Sequence, residues 1–150
     1  MISTSSDQLI IVWDILNNFR KITTTKTSAA LSSLALYSND SFISGDIYGS
    51  IQIWSAKLSG NEKTLKGHND SVSDLTFLFS GFLVSTSFDK SITIWDKTFN
   101  LWSSNSNTHS EDVIALKVNN NGVLISGSQD GTIHFWNTDY FVLDRSLFIY

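Results

Sequence analysis

Four tryptophans, Trp13, Trp54, Trp95 and Trp136, stand 41 residues apart, each from the next. A constant period of that length marks a row of similar supersecondary units. One such unit cannot bury its apolar face alone and must stack on its neighbours. The length of 150 residues would otherwise suggest a single compact domain. The period asks instead for four like pieces in sequence.

The segment 85–96, STSFDKSITIWD, shows what recurs. It reads as two short strands joined by a tight turn. Residues 1–14 carry Ser3, Asp7 and Trp13 at the offsets of Ser85, Asp89 and Trp95. Val72, Leu75 and Phe77 follow His68 by four, seven and nine residues. The same offsets give Leu31, Leu34 and Leu36 after Thr27, and Val113, Leu116 and Val118 after His109. Turn residues align as well: 38–40, Ser80–Gly81 and Asn121–Gly122. Alternation in Leu75/Phe77/Phe79 and Ile92/Ile94 has the period of a strand, and no stretch has the period of a helix. Each full unit therefore reads as four short strands. The units are expected at about 1–26 (incomplete), 27–66, 67–107 and 108–150, within one domain. The pairs Ile10/Val12, Ile51/Ile53, Ile92/Ile94 and Ile133/Phe135 are expected to form a recurrent buried face.

Composition narrows the partners. The net charge is −4, without a cluster of lysine or arginine, which argues against direct nucleic-acid or anionic-membrane binding. There are no cysteines, so disulfides and cysteine metal sites are excluded. The N-terminus lacks the basic and apolar regions of a signal peptide, and no apolar run approaches a membrane span. An intracellular protein, cytoplasmic or nuclear, is the expectation. The absence of proline goes with many paired strands.

A period near 41, a Gly-His opening the third unit and an aspartate six residues before a Trp-Asp pair together resemble the WD-repeat β-propeller family. The resemblance covers essentially the whole chain and is strongest over residues 67–96. It implies an all-β fold, a partial ring of about four blades of four-stranded antiparallel sheet. It also implies a structural tetrad in each well-kept repeat: His68, Ser85, Asp89 and Trp95 in the third, and His109, Ser126, Asp130 and Trp136 in the fourth. In the second, Thr27 and Tyr48 replace the histidine and aspartate, leaving Ser44 and Trp54. In the first, Ser3, Asp7 and Trp13 remain. Those two blades are expected to be looser.

Serine, histidine and aspartate together also suggest a hydrolase. The set occurs twice in register, however, and each copy is tied to a tryptophan, which fits a clamp that satisfies buried polar groups. His134 aligns with Ile11, Gln52 and Thr93 and reads as a strand residue. No metal or cofactor site is expected.

In the family, the binding face resembles a ring of positions one and three after the histidine, with the residue before the turn aspartate. Here those are Ser28, Asn69 and Ser110; Ala30, Ser71 and Asp112; and Ser6, Ile47, Phe88 and Gln129. Phe88 stands out, because a tight turn offers an aromatic ring little burial within its own blade; it is a candidate hot spot. A competing reading packs it against a neighbouring loop.

The expected function is a non-catalytic scaffold presenting propeller loops to partner proteins or peptides. The alternative is a propeller enzyme, hydrolase-like, with a site on the central channel. Three full blades and one lacking its innermost strand make an incomplete ring. Tyr150 takes the next histidine position. Three completions are open: missing blades of a longer WD-repeat protein, a second copy, or a partner chain; the first, a fragment, is the expectation, because the chain starts mid-blade. The isolated chain is expected to self-associate, which light scattering would detect.

Overall fold

The computed structural model describes residues 1–38, 40–105 and 108–149. Tyr150 and the middle of the 38–40 turn lie outside the described residues. Fifteen strands form four antiparallel sheets. The first has three: β1 (Ile2–Thr4), β2 (Leu9–Asp14) and β3 (Arg20–Lys26). The second holds β4 (Leu31–Leu36), β5 (Ser41–Asp46), β6 (Ser50–Ser55) and β7 (Asn61–Lys66). The third holds β8 (Val72–Phe77), β9 (Leu83–Ser87), β10 (Ile92–Trp95) and β11 (Leu101–Asn105). The fourth holds β12 (Val113–Val118), β13 (Leu124–Ser128), β14 (Thr132–Asn137) and β15 (Val142–Phe148). Strands pair with their chain neighbours throughout. These are the meandering blades that the 41-residue period implies. Successive blades meet through their first strands, β1 with β4, β4 with β8 and β8 with β12, and the described residues do not close a ring.

The tight turns within the blades have a common conformation. Gln8, Gly49, Lys90 and Gly131, again 41 residues apart, all take a left-handed φ of 70–82°. Glycine adopts that region without strain, whereas Gln8 and Lys90 bear its cost.

The apolar core lies between sheets rather than within them. Ile10, Leu31, Phe42 and Trp54 pack between the first and second blades. Ile43, Ile53, Val72, Leu75 and Trp95 pack between the second and third. Val84, Ile94, Val113, Leu116 and Trp136 pack between the third and fourth. Each tryptophan thus seals the seam with the preceding blade. Among the described residues Trp13 has no such blade beside it, and it is half-buried.

Hydroxyls staple the inner strands across these seams. Ser32 on β4 donates to the Val72 carbonyl (2.7 Å), and Ser73 on β8 to that of Val113 (2.5 Å). Leu116 N donates to Asp74 Oδ2 at 3.0 Å.

The expected buried face needs one correction. Ile10, Val12, Ile51, Ile53, Ile92 and Ile94 are buried, but Ile133 and Phe135 are not. Among the described residues no further sheet packs on that side of the fourth blade, so the same pattern there is partly exposed.

Candidate functional site

In the third blade the turn between β9 and β10 brings the tetrad residues together. His68 Nδ1 lies 3.2 Å from Asp89 Oδ2, and His68 Nε2 lies 2.7 Å from Ser85 Oγ. Trp95 Nε1 donates to the same Ser85 Oγ at 2.9 Å. A carboxylate can only accept, so the proton of the neutral imidazole sits on Nδ1, and Ser85 donates to Nε2. The fourth blade repeats the arrangement: His109 to Asp130 at 3.1 Å, His109 to Ser126 at 2.9 Å and Trp136 to Ser126 at 2.9 Å. Both serines are fully buried.

Other hydroxyls, outside the four tetrad positions, complete the network. Ser91 Oγ donates to Asp89 Oδ1 (2.5 Å) and meets His68 Nδ1 (2.9 Å). Thr132 Oγ1 does the same for Asp130 (2.6 Å) and His109 (3.1 Å). Ser87 and Ser128 accept from the N–H groups of Asp89 and Asp130. Their signal was present, since Ser50, Ser91 and Thr132 share one register of the period.

His134 is more than a strand residue. Its ring stacks on His109, with centroids 3.9 Å apart at 13°. Its Nε2 lies 3.2 Å from Thr132 Oγ1, and its buried Nδ1 has no partner among the described residues. Burial, reinforced by the nearby His109, holds its pKa below the usual histidine range.

Burial opposes ionisation of Asp89, yet hydrogen bonds from His68, Ser91 and Asn69 N outweigh it and hold the carboxyl far below its usual range. For Asp130 burial again opposes, and Thr132, Ser110 N and His109 prevail. Depressed carboxylates contribute stability that is full above the unfolded value of 3.8 and drains away as pH falls below it. His134 acts in the same sense from near its unfolded 6.5 downward, because charging it favours the unfolded chain. Stability measured by urea at successive pH is therefore expected to decline gently below about 6.5 and steeply below about 4. Asp89→Asn should flatten the steep part; an unchanged slope would contradict the network.

The degraded repeats keep part of the set. Trp13 Nε1 donates to Ser3 (2.8 Å) and Trp54 Nε1 to Ser44 (2.9 Å). Asp7 Oδ1 accepts from Leu9 N at 3.0 Å. In the second blade a displaced carboxylate caps the turn: Asp46 Oδ1 accepts from Tyr48 N and Ser50 N, both at 2.9 Å. Asp46 aligns with Ser87, not Asp89, so a strict register comparison overlooks it.

The residues expected on the partner face fall on one edge of the blades. Phe88 N donates to the Ser71 carbonyl (3.0 Å), Ile47 N to Ala30 (3.1 Å) and Gln129 N to Asp112 (3.0 Å). The turns and the loops before the inner strands are thereby joined in three blades. Phe88 is 38% exposed and Ile47 40%. Ser6, Ser28, Asn69, Ser110 and Gln129 are exposed, and Asp112 and Ala30 half so. Ser71 is a correction: at 9% exposure it is buried beneath the Phe88 turn and offers little surface. Asn69 and Ser110 donate their N–H groups to Asp89 (2.8 Å) and Asp130 (2.9 Å), tying the face to the network. Lys90 Nζ bridges to the Ser110 carbonyl (2.8 Å) and to Glu111 (3.2 Å).

Meandering blades with a Trp–Ser–His–Asp network define a propeller-repeat protein. The family profile described as WD domain, G-beta repeat matches residues 60–96 and 99–137, about half of the chain. The chain belongs to the WD-repeat family. No curated protein matches it. Among the described residues no helix is long and apolar enough to cross a membrane, and no cluster of histidine and carboxylate groups could hold a metal.

Proposed function

We propose that the chain is a non-catalytic scaffold whose partner-binding face is the edge carrying Phe88, Ile47 and Gln129. WD-repeat domains typically serve protein interactions, and the particular reading rests on one observation. Two apolar side chains, Phe88 and Ile47, are held partly exposed on turns whose backbones are hydrogen-bonded to neighbouring loops. An apolar anchor presented rigidly loses little entropy on binding. Ser6, Asn69, Ser110, Asp112 and Gln129 give this anchor pair a polar rim. The partners are proteins or peptides in the cytoplasm or nucleus.

The complete burial of Ser85 and Ser126 supports the non-catalytic reading. Each hydroxyl already binds an imidazole and an indole, so neither has a free path to a substrate.

Phe88→Ala is expected to weaken partner binding at least tenfold, about 1.4 kcal/mol or more. Stability should change by only about 1 kcal/mol, since the ring is already partly exposed. Pulldown against immobilised partner, paired with a urea titration, separates the two. Undiminished partner recovery would remove Phe88 from the face.

A further inference from the structure

We propose that the second blade holds a binding cavity for a guanidinium group, beside the position that the imidazole fills in the third and fourth blades. A cavity of about 740 Å³ lies between the end of β3 and strands β6 and β7, and Thr27, Asp46, Tyr48, Gln52, Trp54 and Asn61 line it. Its origin is legible in the repeat register. Thr27 stands where His68 and His109 stand, and Tyr48 where Asp89 and Asp130 stand. Gly60 and Asn61 replace Leu101 and Trp102, or Val142 and Leu143. A Cβ at Gly67 would come within 2.7 Å of Trp95 Cη2, so the third blade's chain runs hard against the indole. The second blade has Lys26 at that position. Thr27 and Gly60 are also smaller than their counterparts in the third and fourth blades, and space remains.

The walls select a cation. Asp46 is 3% exposed. Its Oδ1 accepts the two backbone N–H groups of the turn, and among the described residues its Oδ2 has neither a hydrogen bond nor an ion-pair partner. The free Oδ2 borders the open cavity, where a positive donor can reach it without displacing an existing partner. Trp54, 5% exposed and stacked on Phe42 (centroids 6.3 Å, 11°), closes the floor, and the exposed Tyr48 ring provides aromatic surface for a cation. Thr27, Gln52 and Asn61 add acceptor oxygens. A guanidinium suits this set better than an ammonium: it is planar, weakly hydrated, and spreads five donors over several acceptors. Exposed Lys26 lines the same cavity without pairing with Asp46.

The natural source is an arginine side chain of a partner peptide, an assignment that rests on the scaffold reading. Ser28 lines the cavity, and Ile47 sits between Asp46 and Tyr48, so the opening adjoins the proposed face.

The test uses the full 150-residue chain and N-acetylarginine amide, followed through the Trp54 indole N–H in NMR spectra. That resonance should shift and saturate with a Kd on the order of 1 mM, as befits a fragment-sized ligand. N-acetyllysine amide should bind at least tenfold more weakly. Asp46→Asn keeps an oxygen for both turn N–H groups but removes the charge, and should weaken the arginine compound tenfold or more. The double variant Thr27→His/Tyr48→Asp rebuilds the clamp, fills the cavity, and should abolish the shift. No saturable shift at Trp54, equal binding of the lysine compound, or an undiminished shift in Asp46→Asn would each overturn the assignment. The titration involves no partner protein, so its failure leaves the Phe88 result standing, and the reverse.

Discussion

Trp95→Ala is expected to lower the free energy of unfolding by about 4 kcal/mol, within the range for deleting a buried large aromatic. The ring is 2% exposed and packs with Ile43, Val72 and Leu75 in the seam between the second and third blades. Truncation opens a cavity there that two sheets, held by stapling hydroxyls, cannot easily collapse. It also removes the indole N–H that donates to Ser85, so that buried hydroxyl loses a hydrogen bond. Trp13→Ala, at the same repeat position, is expected to cost less than half as much, about 1–2 kcal/mol, because no blade packs over it. Urea unfolding followed by circular dichroism measures both. Equal losses would mean that the tryptophans act through their own blades and not through the seams.

Gly45→Ala is the second large effect, expected at about 3 kcal/mol, the upper part of the range for overpacking. A Cβ at Gly45 would lie 2.4 Å from Ser33 Oγ and 2.5 Å from Val72 Cβ. Val72 Cβ is fixed to the inner strand of the next blade, so relief requires the two sheets to part. Gly127 occupies the same repeat position in the fourth blade. There the nearest atom to an added Cβ is Ala115 Cβ at 3.9 Å, an ordinary contact. Gly127→Ala should therefore change stability by no more than about 0.5 kcal/mol. Thermal or urea midpoints of the two variants make the comparison. A mild Gly45→Ala would show that the second and third blades are less tightly apposed than described.

Much of this was readable in the sequence, because the period transfers information between units. Trp13, Trp54, Trp95 and Trp136 set the blade count, and the offsets of His68 and His109 located both serines and both aspartates. What the period carries less well is anything that departs from it. Asp46 caps its turn from two residues before the expected site, so alignment by register passes over it. Thr27 and Tyr48 read as decay of a motif, whereas with Gly60 and Asn61 they border a cavity. His134 aligns with isoleucine, glutamine and threonine, and its stacking on His109 follows from cross-strand geometry that spacing alone does not specify. Ile133 and Phe135 have the pattern of buried strand residues, but burial depends on a neighbouring sheet, which no local pattern encodes. Ser71 failed as a surface residue for a related reason: its carbonyl is the acceptor that holds the Phe88 turn, which places the side chain beneath it.

These observations separate two jobs within each repeat. The clamp residues hold the turns, and the turn residue outside the clamp varies: Ser6, Ile47, Phe88 and Gln129. Variation on a fixed frame is how a scaffold can present a specific surface without altering its core. The central claim is that this edge, and not the outer strands, meets the partner. Site-specific photo-crosslinking in cells tests it most directly, with p-benzoylphenylalanine placed at position 47 or 88, or at 22 or 101 on outer strands β3 and β11. A shared protein adduct is expected from 47 and 88 and none from 22 or 101. Adducts from the outer strands alone, with 47 and 88 silent, would contradict it.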